Sequence, residues 1–349
     1  MSLVIALDAM GGDNAPGIVI DGAAKALRQS PGLRFLLFGD EGRIAPLLER
    51  HPALAAAGEL RHTGKAVAPD AKPSQALRQG RDSSMRLAID AVKTGEAAAA
   101  VSAGNTGALM AMAKFVLKTL PGIDRPAIAA LLPTRRAPVV MLDLGANVDC
   151  GPEHLFQFAV MGEVYARAVL DIAKPRVGIL NVGTEEVKGD SVVRSAAALL
   201  RDSGLAIDYY GFVEGGDVSE GRVHVVVTDG FTGNVALKIT EGTARLFSAA
   251  LRQAFRSSWR ARLGYLLARP ALNRMRQRFD PRLYNGAMFL GLNGVVVKSH
   301  GGTDAVGFAA AISAAIQLVE QGTNERIIAE MNAAGTGRDS PAGRKVAAS

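Results

Sequence analysis

The chain has 349 residues, 48% of them hydrophobic and 5% aromatic, with a formal charge of +7. That is ample for a large buried core, while the small-residue run over 97–113 is broken by Gly-Asn-Thr-Gly and too short for a membrane span, which needs about 20 apolar residues. The single cysteine, Cys150, excludes an internal disulfide and fits a reducing, cytoplasmic setting.

In chain order, the apolar run 3–9 predicts a strand. It is entered at once, without a basic leader, so no secretory signal is expected. A helix is expected over 15–29, a strand over 33–39, a helix over 83–94, a strand over 97–103 and a helix over 104–119. A strand follows at 137–145, a helix at 152–170, a strand at 176–183 and a helix at 190–201. Strands at 207–213 and 222–230 lead to a helix over 231–256. A last strand, 294–301, precedes a helix over 303–321. Most of these strands are apolar on both faces. That predicts a largely parallel sheet between helical layers, a three-layer α/β/α sandwich. A single domain over 1–334 is expected, with a polar, glycine-rich, disordered tail over 335–349.

Residues 252–282 depart from this pattern. They hold nine arginines and one aspartate, a local charge of +8 that leaves −1 for the rest of the chain. The basic character is therefore one local device, which weakens a general nucleic-acid reading. Phe255, Trp259, Leu263 and Leu266 fall on one helical stripe flanked by arginines, and Pro270 is expected to end or kink the helix. A basic amphipathic hairpin of this kind suits an anionic membrane surface. A core-packed helix, a dimer contact and an acidic partner stay open as alternatives.

The chemistry-bearing feature is a recurrence. Strand after strand ends in a small polar turn: DAMGGDNAP (8–16), SAGNTGA (102–108), DLGANVD (143–149), NVGTEEVKGD (181–190), TDGFTGN (228–234) and SHGGTDA (299–305). Six such turns at one sheet edge would line a cleft whose helix N-termini favour an anion such as phosphate. Asn105, Thr106, Asn147, Thr184, Thr232 and Asn234 add neutral hydrogen-bonding groups, and Lys188 adds an ammonium. Each turn also has a bland reading: Asp8 as a cap, Asp229 as a turn former, His300 as a structural histidine, Cys150 as an inert thiol. No G-x-G-x-x-G follows the first strand, and no P-loop, G-x-S-x-G or H-E-x-x-H motif occurs. These absences disfavour dinucleotide dehydrogenases, P-loop NTPases, serine hydrolases and zinc enzymes.

The same turns, with GIDRPAIA, FAVMGEVYA and GLNGVVVKSHGGTDA in order from about residue 3 to about 320, resemble the motif series of bacterial phosphate acyltransferases. The resemblance implies a Rossmann-like sandwich related to phosphotransacetylases. It implies transfer of a fatty acyl group from acyl carrier protein to inorganic phosphate. The acyl phosphate would feed a membrane glycerol-3-phosphate acyltransferase. It further implies a homodimer, peripheral membrane association, no metal or organic cofactor and no nucleic acid partner. Carried over, the phosphate cradle is expected at Asp8, Gly11, Gly12, Asn105 and Thr106. Asn147, Asn181 and Thr232 are expected to bind substrate, and Lys188, Asp229, Asn234 and His300 to carry the chemistry. The Arg-rich insert takes the position of the family's membrane-touching region. Two positions depart: Asn14 stands where many relatives have histidine, and Cys150 where some have alanine. A phosphate acetyl- or butyryltransferase using acyl-CoA, and a non-catalytic membrane- or RNA-binding scaffold, are the competing readings.

Overall fold

We describe the protein from a computed structural model covering residues 3–280 and 282–338. Strand β1 (Val4–Asp8) leads through α1 (Gly17–Gln29), β2 (Arg34–Gly39), α2 (Glu41–Leu48), α3 (Pro52–Ala57) and β3 (Gly58–His62) to α4 (Pro73–Gln79). Next come α5 (Ser84–Lys93), β4 (Ala99–Ser102), α6 (Thr106–Leu117), β5 (Ala127–Leu132), β6 (Val139–Leu142) and α7 (Pro152–Leu170). They are followed by β7 (Arg176–Leu180), α8 (Ser191–Asp202), β8 (Asp208–Val213), α9 (Gly215–Glu220) and β9 (Val225–Val227). The chain closes with α10 (Gly230–Arg256), α11 (Trp259–Arg278), β10 (Ala287–Leu290), β11 (Val295–Lys298), α12 (Ala305–Glu320) and α13 (Thr323–Arg338).

The strands form one mixed sheet in the order β3-β2-β1-β4-β11-β10-β5-β6-β9-β7-β8. Seven of its ten neighbouring pairs are parallel, and strands such as Val225–Val227 are buried throughout. Helices α1, α7, α8 and α12 bury their apolar stripes against one face. Helices α5 and α6 cover the other face beside β1, β4 and β11. The α/β sandwich expected from the double-sided strands is the observed fold.

Two strands absent from the sequence reading, β5 and β10, change the placement of the turns. Strand β10 is antiparallel to both of its neighbours, and β5 is antiparallel to β6. Consequently β6, β7, β8 and β9 run opposite to β1, β2, β3, β4 and β11. The turns after β1, β4 and β11 therefore share one sheet edge, and those after β6, β7 and β9 share the other. The expectation of six turns on a single edge is corrected by this reversal.

The basic segment is part of a longer hairpin. Helix α10 has only Gly230 and Gly233 buried, and α11 has no buried residue. The hairpin is thus α10 with α11, not 252–282 alone. Helix α11 also continues past Pro270, so the proline does not end it. The carbonyl that Pro270 cannot pair with belongs to Leu266, which is 61% exposed and open to water. At the C-terminal end, residues 335–338 close α13 instead of starting a tail, and 339–349 lie outside the described residues.

Candidate functional site

The first loop cluster is set by strand register. On three adjacent strands, Ser102 pairs across from Lys298, and Leu7 from Val101, so Asp8, Ser102 and Lys298 form one row at the sheet edge. Asp8 is buried there and accepts from the Ser84 hydroxyl at 2.6 Å, the Ser102 hydroxyl at 2.7 Å and the Met10 N–H at 3.3 Å. Burial pushes its carboxyl above the usual range, while these donors pull it back. Its carboxylate thus brackets the β1 turn, the β4 end and the start of α5. Gly11 passes so close that a Cβ would lie 2.4 Å from Asp8 Oδ2, and Gly12 has φ +106° against Ala103 and Gly301. Both positions require glycine, because the β1 turn packs directly on the β4 and β11 turns.

Asn105 caps α6, accepting from Ala108 N–H at 2.9 Å and donating to the Pro69 and Ala71 carbonyls. With Ala108 capped, the N–H groups of Thr106 and Gly107 remain the outward donors of that helix end. Thr106 is exposed beside them. His300 is exposed too, and its Nδ1 accepts from Gly302 N–H at 3.1 Å, which leaves the neutral ring's hydrogen on Nε2. Asn285, outside the sequence expectations, knits this turn together: it donates to Ser299, Thr303 and the Gly307 carbonyl and accepts from His300 N–H.

At the opposite edge the organising group is Asp143, also absent from the sequence expectations. Its oxygens accept from the N–H groups of Ile128, Gly145, Ala146 and Asn147 and from the Asn147 amide. Asn147 further donates to the Pro126 carbonyl at 2.8 Å, and its own carbonyl accepts from Gly230 N–H at 2.7 Å. It is a bracket between turns. Asp229 caps α10 through Thr232 N–H at 2.8 Å. Asn181 donates to the Lys188 carbonyl at 3.1 Å and so shapes the β7 turn. The Lys188, Thr232 and Asn234 side chains are exposed and make no hydrogen bond within the described residues. Cys150 is half-buried, and burial with the nearby Asp143 charge pushes its thiol up to about 11. It is held as an inert thiol.

Helix α10 joins the two edges. Near its start, Asn234 lies against Gly145 of the Asp143 turn. One turn later Lys238 is near enough to Lys298 to repel its charge. Residues four apart share a helix face, so Asn234 and Lys238 span from one cluster to the other. Asp8, Asn105, Asn147, Asn181 and Asp229 serve as brackets and caps, while Thr106, Lys188, Thr232, Asn234 and His300 keep free polar groups. Among the described residues, no three His, Cys, Asp or Glu side chains converge as metal ligands.

Further along, the hairpin presents Trp259 at 70%, Leu263 at 53% and Leu266 at 61% exposure. Phe255 differs from this expected stripe. It is half-buried, edge-on to Tyr265 with ring centroids 5.3 Å apart, and holds the two helices together. No single helix among the described residues is long and apolar enough to cross a membrane.

Fold and loop clusters define the class, an α/β sandwich of the phosphotransacetylase fold. The structure resembles a phosphotransacetylase from Streptococcus pyogenes over 91% of this chain and 94% of that one, with a TM-score of 0.59 at 19% identity. It also resembles the EutD phosphotransacetylase from Staphylococcus aureus over 95% and 94% of the two chains, with a TM-score of 0.55 at 16% identity. In sequence, residues 3–326 match the family described as fatty acid synthesis protein. A phosphate acyltransferase from Rhodospirillum rubrum is 62% identical over 326 residues, 93% of each chain. One from Paramagnetospirillum magneticum is 59% identical over 331 residues, 95% of this chain and 94% of its own. The chain belongs to this fatty acid synthesis family, alongside phosphate acyltransferases, and is a transferase.

Proposed function

We propose that the chain transfers a fatty acyl group from acyl carrier protein to inorganic phosphate. The observation that carries this reading is the kinship with phosphate acyltransferases across a stretch that contains all six polar turns. A phosphate oxygen attacks the thioester carbonyl carbon. The C–O bond forms, the C–S bond breaks, and the carrier's thiolate leaves to be protonated from water. Phosphate is already anionic at neutral pH, so the site must position and partly desolvate it more than deprotonate it. The products are an acyl phosphate and free carrier.

The cradle falls to the turns after β1, β4 and β11: the backbone at Gly11 and Gly12, the N–H groups of Thr106 and Gly107 with the Thr106 hydroxyl, and the Nε2–H of His300. Asp8 and Asn105 hold these groups in place. Lys188 and Asn234 donate to the oxyanion that develops on the thioester carbonyl. Thr232 adds a hydroxyl, and Asp229, as the cap of α10, sets the helix that carries Asn234. Asn147 and Asn181 shape their turns.

The exposed apolar and arginine side chains of the hairpin support peripheral attachment to an anionic membrane, where the acyl phosphate meets a glycerol-3-phosphate acyltransferase. The same arginines suit an acidic carrier protein, and a homodimer is part of this reading. The phosphotransacetylase fold favours a second reading, in which a short-chain acyl-CoA is the donor. Incubation with radiolabelled phosphate and either long-chain acyl carrier protein or acetyl-CoA separates the two. Label entering acyl phosphate only from acetyl-CoA would overturn the carrier reading, and no label from either would overturn both. Lys188→Ala is expected to remain folded and lose on the order of a hundredfold in turnover.

A further inference from the structure

Lys298 ends β11, and its side chain is largely enclosed by the turns after β1 and β4. Its ammonium donates to the Ala103 carbonyl at 3.2 Å and to the Ser299 carbonyl. An ammonium has three donors, and no third acceptor among the described residues takes the last one. The charged groups facing it are Asp8 from β1, Asp13 from the turn that follows, and Lys238 from α10. No ion pair forms with either carboxylate among the described residues. Asp8 is occupied instead by the two serines and the Met10 N–H.

A largely enclosed cation without a bonded anion is costly, and a purely structural clamp on two carbonyls would not need the charge. The cost is met where a ligand supplies the missing anion. Ala103, which Lys298 grips, sits three residues before Thr106 and its free helix-end N–H. We propose that Lys298 is the fixed positive charge that binds the phosphate nucleophile, together with the N–H groups opening α6. This rests on the reading that inorganic phosphate is a substrate. It adds the residue that neutralises it, one outside the expected set.

Burial, with a smaller push from Lys238, lowers the Lys298 ammonium to about 8 against the pull of Asp8 and Asp13. Above that pH the amine turns neutral and attracts a phosphate dianion less. The phosphate KM of the wild type is therefore expected to climb by up to about tenfold per unit above pH 8 and to level off at the value of Lys298→Met. Lys298→Arg keeps its charge throughout, so its phosphate KM stays flat over the same range. That variant separates Lys298 from Asp8, Asp13 and Lys238, which it leaves in place. Lys298→Met is expected to raise phosphate KM on the order of tenfold to a hundredfold, with the acyl-donor KM unchanged.

An unchanged phosphate KM in folded Lys298→Met, a rise in the donor KM alone, or a wild-type phosphate KM flat across this range would each overturn the assignment. If Lys298→Met does not fold, the wild-type and Lys298→Arg pH profiles decide. Calorimetric titration of phosphate alone keeps the two proposals apart. If the wild type forms no acyl phosphate, the reaction reading fails. Weaker phosphate binding by folded Lys298→Met would still support the assignment, and equal binding would refute it.

Discussion

Gly233→Ala is the sharpest test of how α10 is seated. The start of the helix seats on the body of the protein through buried Gly230 and Gly233 and half-buried Ala236 and Leu237, and at Gly233 an added Cβ would sit 1.9 Å from the Asp143 carbonyl oxygen. Real Cβ contacts essentially never fall below 3.0 Å, so one partner must move by roughly 1 Å. The Asp143 turn resists, because its carboxylate is held by four backbone N–H groups and the Asn147 amide. The displacement therefore falls on α10, which carries Asn234 and Lys238. Overpacking of this kind costs about 1–3 kcal/mol of stability. A shift of about 1 Å in Asn234, the proposed oxyanion donor, is expected to cost on the order of a hundredfold in kcat.

Gly242→Ala is the internal control. It lies on the same helix with nothing within 4 Å of its added Cβ, so only helix propensity changes. It should gain up to about 1 kcal/mol and leave turnover intact. The assay pairs a thermal melt with steady-state acyl phosphate formation for both variants. Gly233→Ala with wild-type kcat and melting temperature would show that α10 is not clamped as described.

Three further outcomes are expected. Asp143→Ala strands five donors, three of them buried, and should cost on the order of 3–5 kcal/mol in urea denaturation; a loss under about 1 kcal/mol contradicts the bracket role. Cys150, held near 11 against an ordinary 9.0, should react with a disulfide reagent at pH 8 roughly a hundredfold slower in the native than in the unfolded chain, and equal rates would refute the shift. Trp259→Glu should weaken sedimentation with anionic vesicles by about tenfold or more, given the 1.5–3 kcal/mol of a buried large apolar side chain; unchanged sedimentation counts against insertion of this helix.

The sequence made the turns legible because glycine, asparagine and aspartate at strand ends have few other uses. It did not reveal the strand reversal, since AIAALL at 127–132 and AMFL at 287–290 are short runs without alternation or β-branched enrichment. Their direction is set by distant partners, not by local pattern. The brackets were legible as residues but not as roles: Asp8 read equally well as a cap or a contact and Asp229 as a turn former or a contact, and only the donors aimed at them decide. Asp143 was hidden because DLGANVD drew attention to its asparagine. Lys298 had a usable signal, a lysine directly after three valines and before His300, where a solvated lysine is out of place. In the hairpin, the sequence marks 231–256 only as a helix, and its Phe231, Ile239, Leu246 and Phe247 are 63–70% exposed.

That last point ties the hairpin to the chemistry. Helix α10 has 27 residues, about 40 Å, and is one continuous element from the Asp143 turn outward. Its first three turns hold Asn234 and Lys238 between the two loop clusters, and its far end carries exposed apolar side chains and the link to Trp259. The strand reversal would leave the two clusters on separate edges without such a bridge. The same helix leads away from the sheet, so Asn234, Lys238 and the hairpin share one continuous support. A change of seating at Gly233 should therefore alter turnover and vesicle binding together, whereas Trp259→Glu should alter vesicle binding alone.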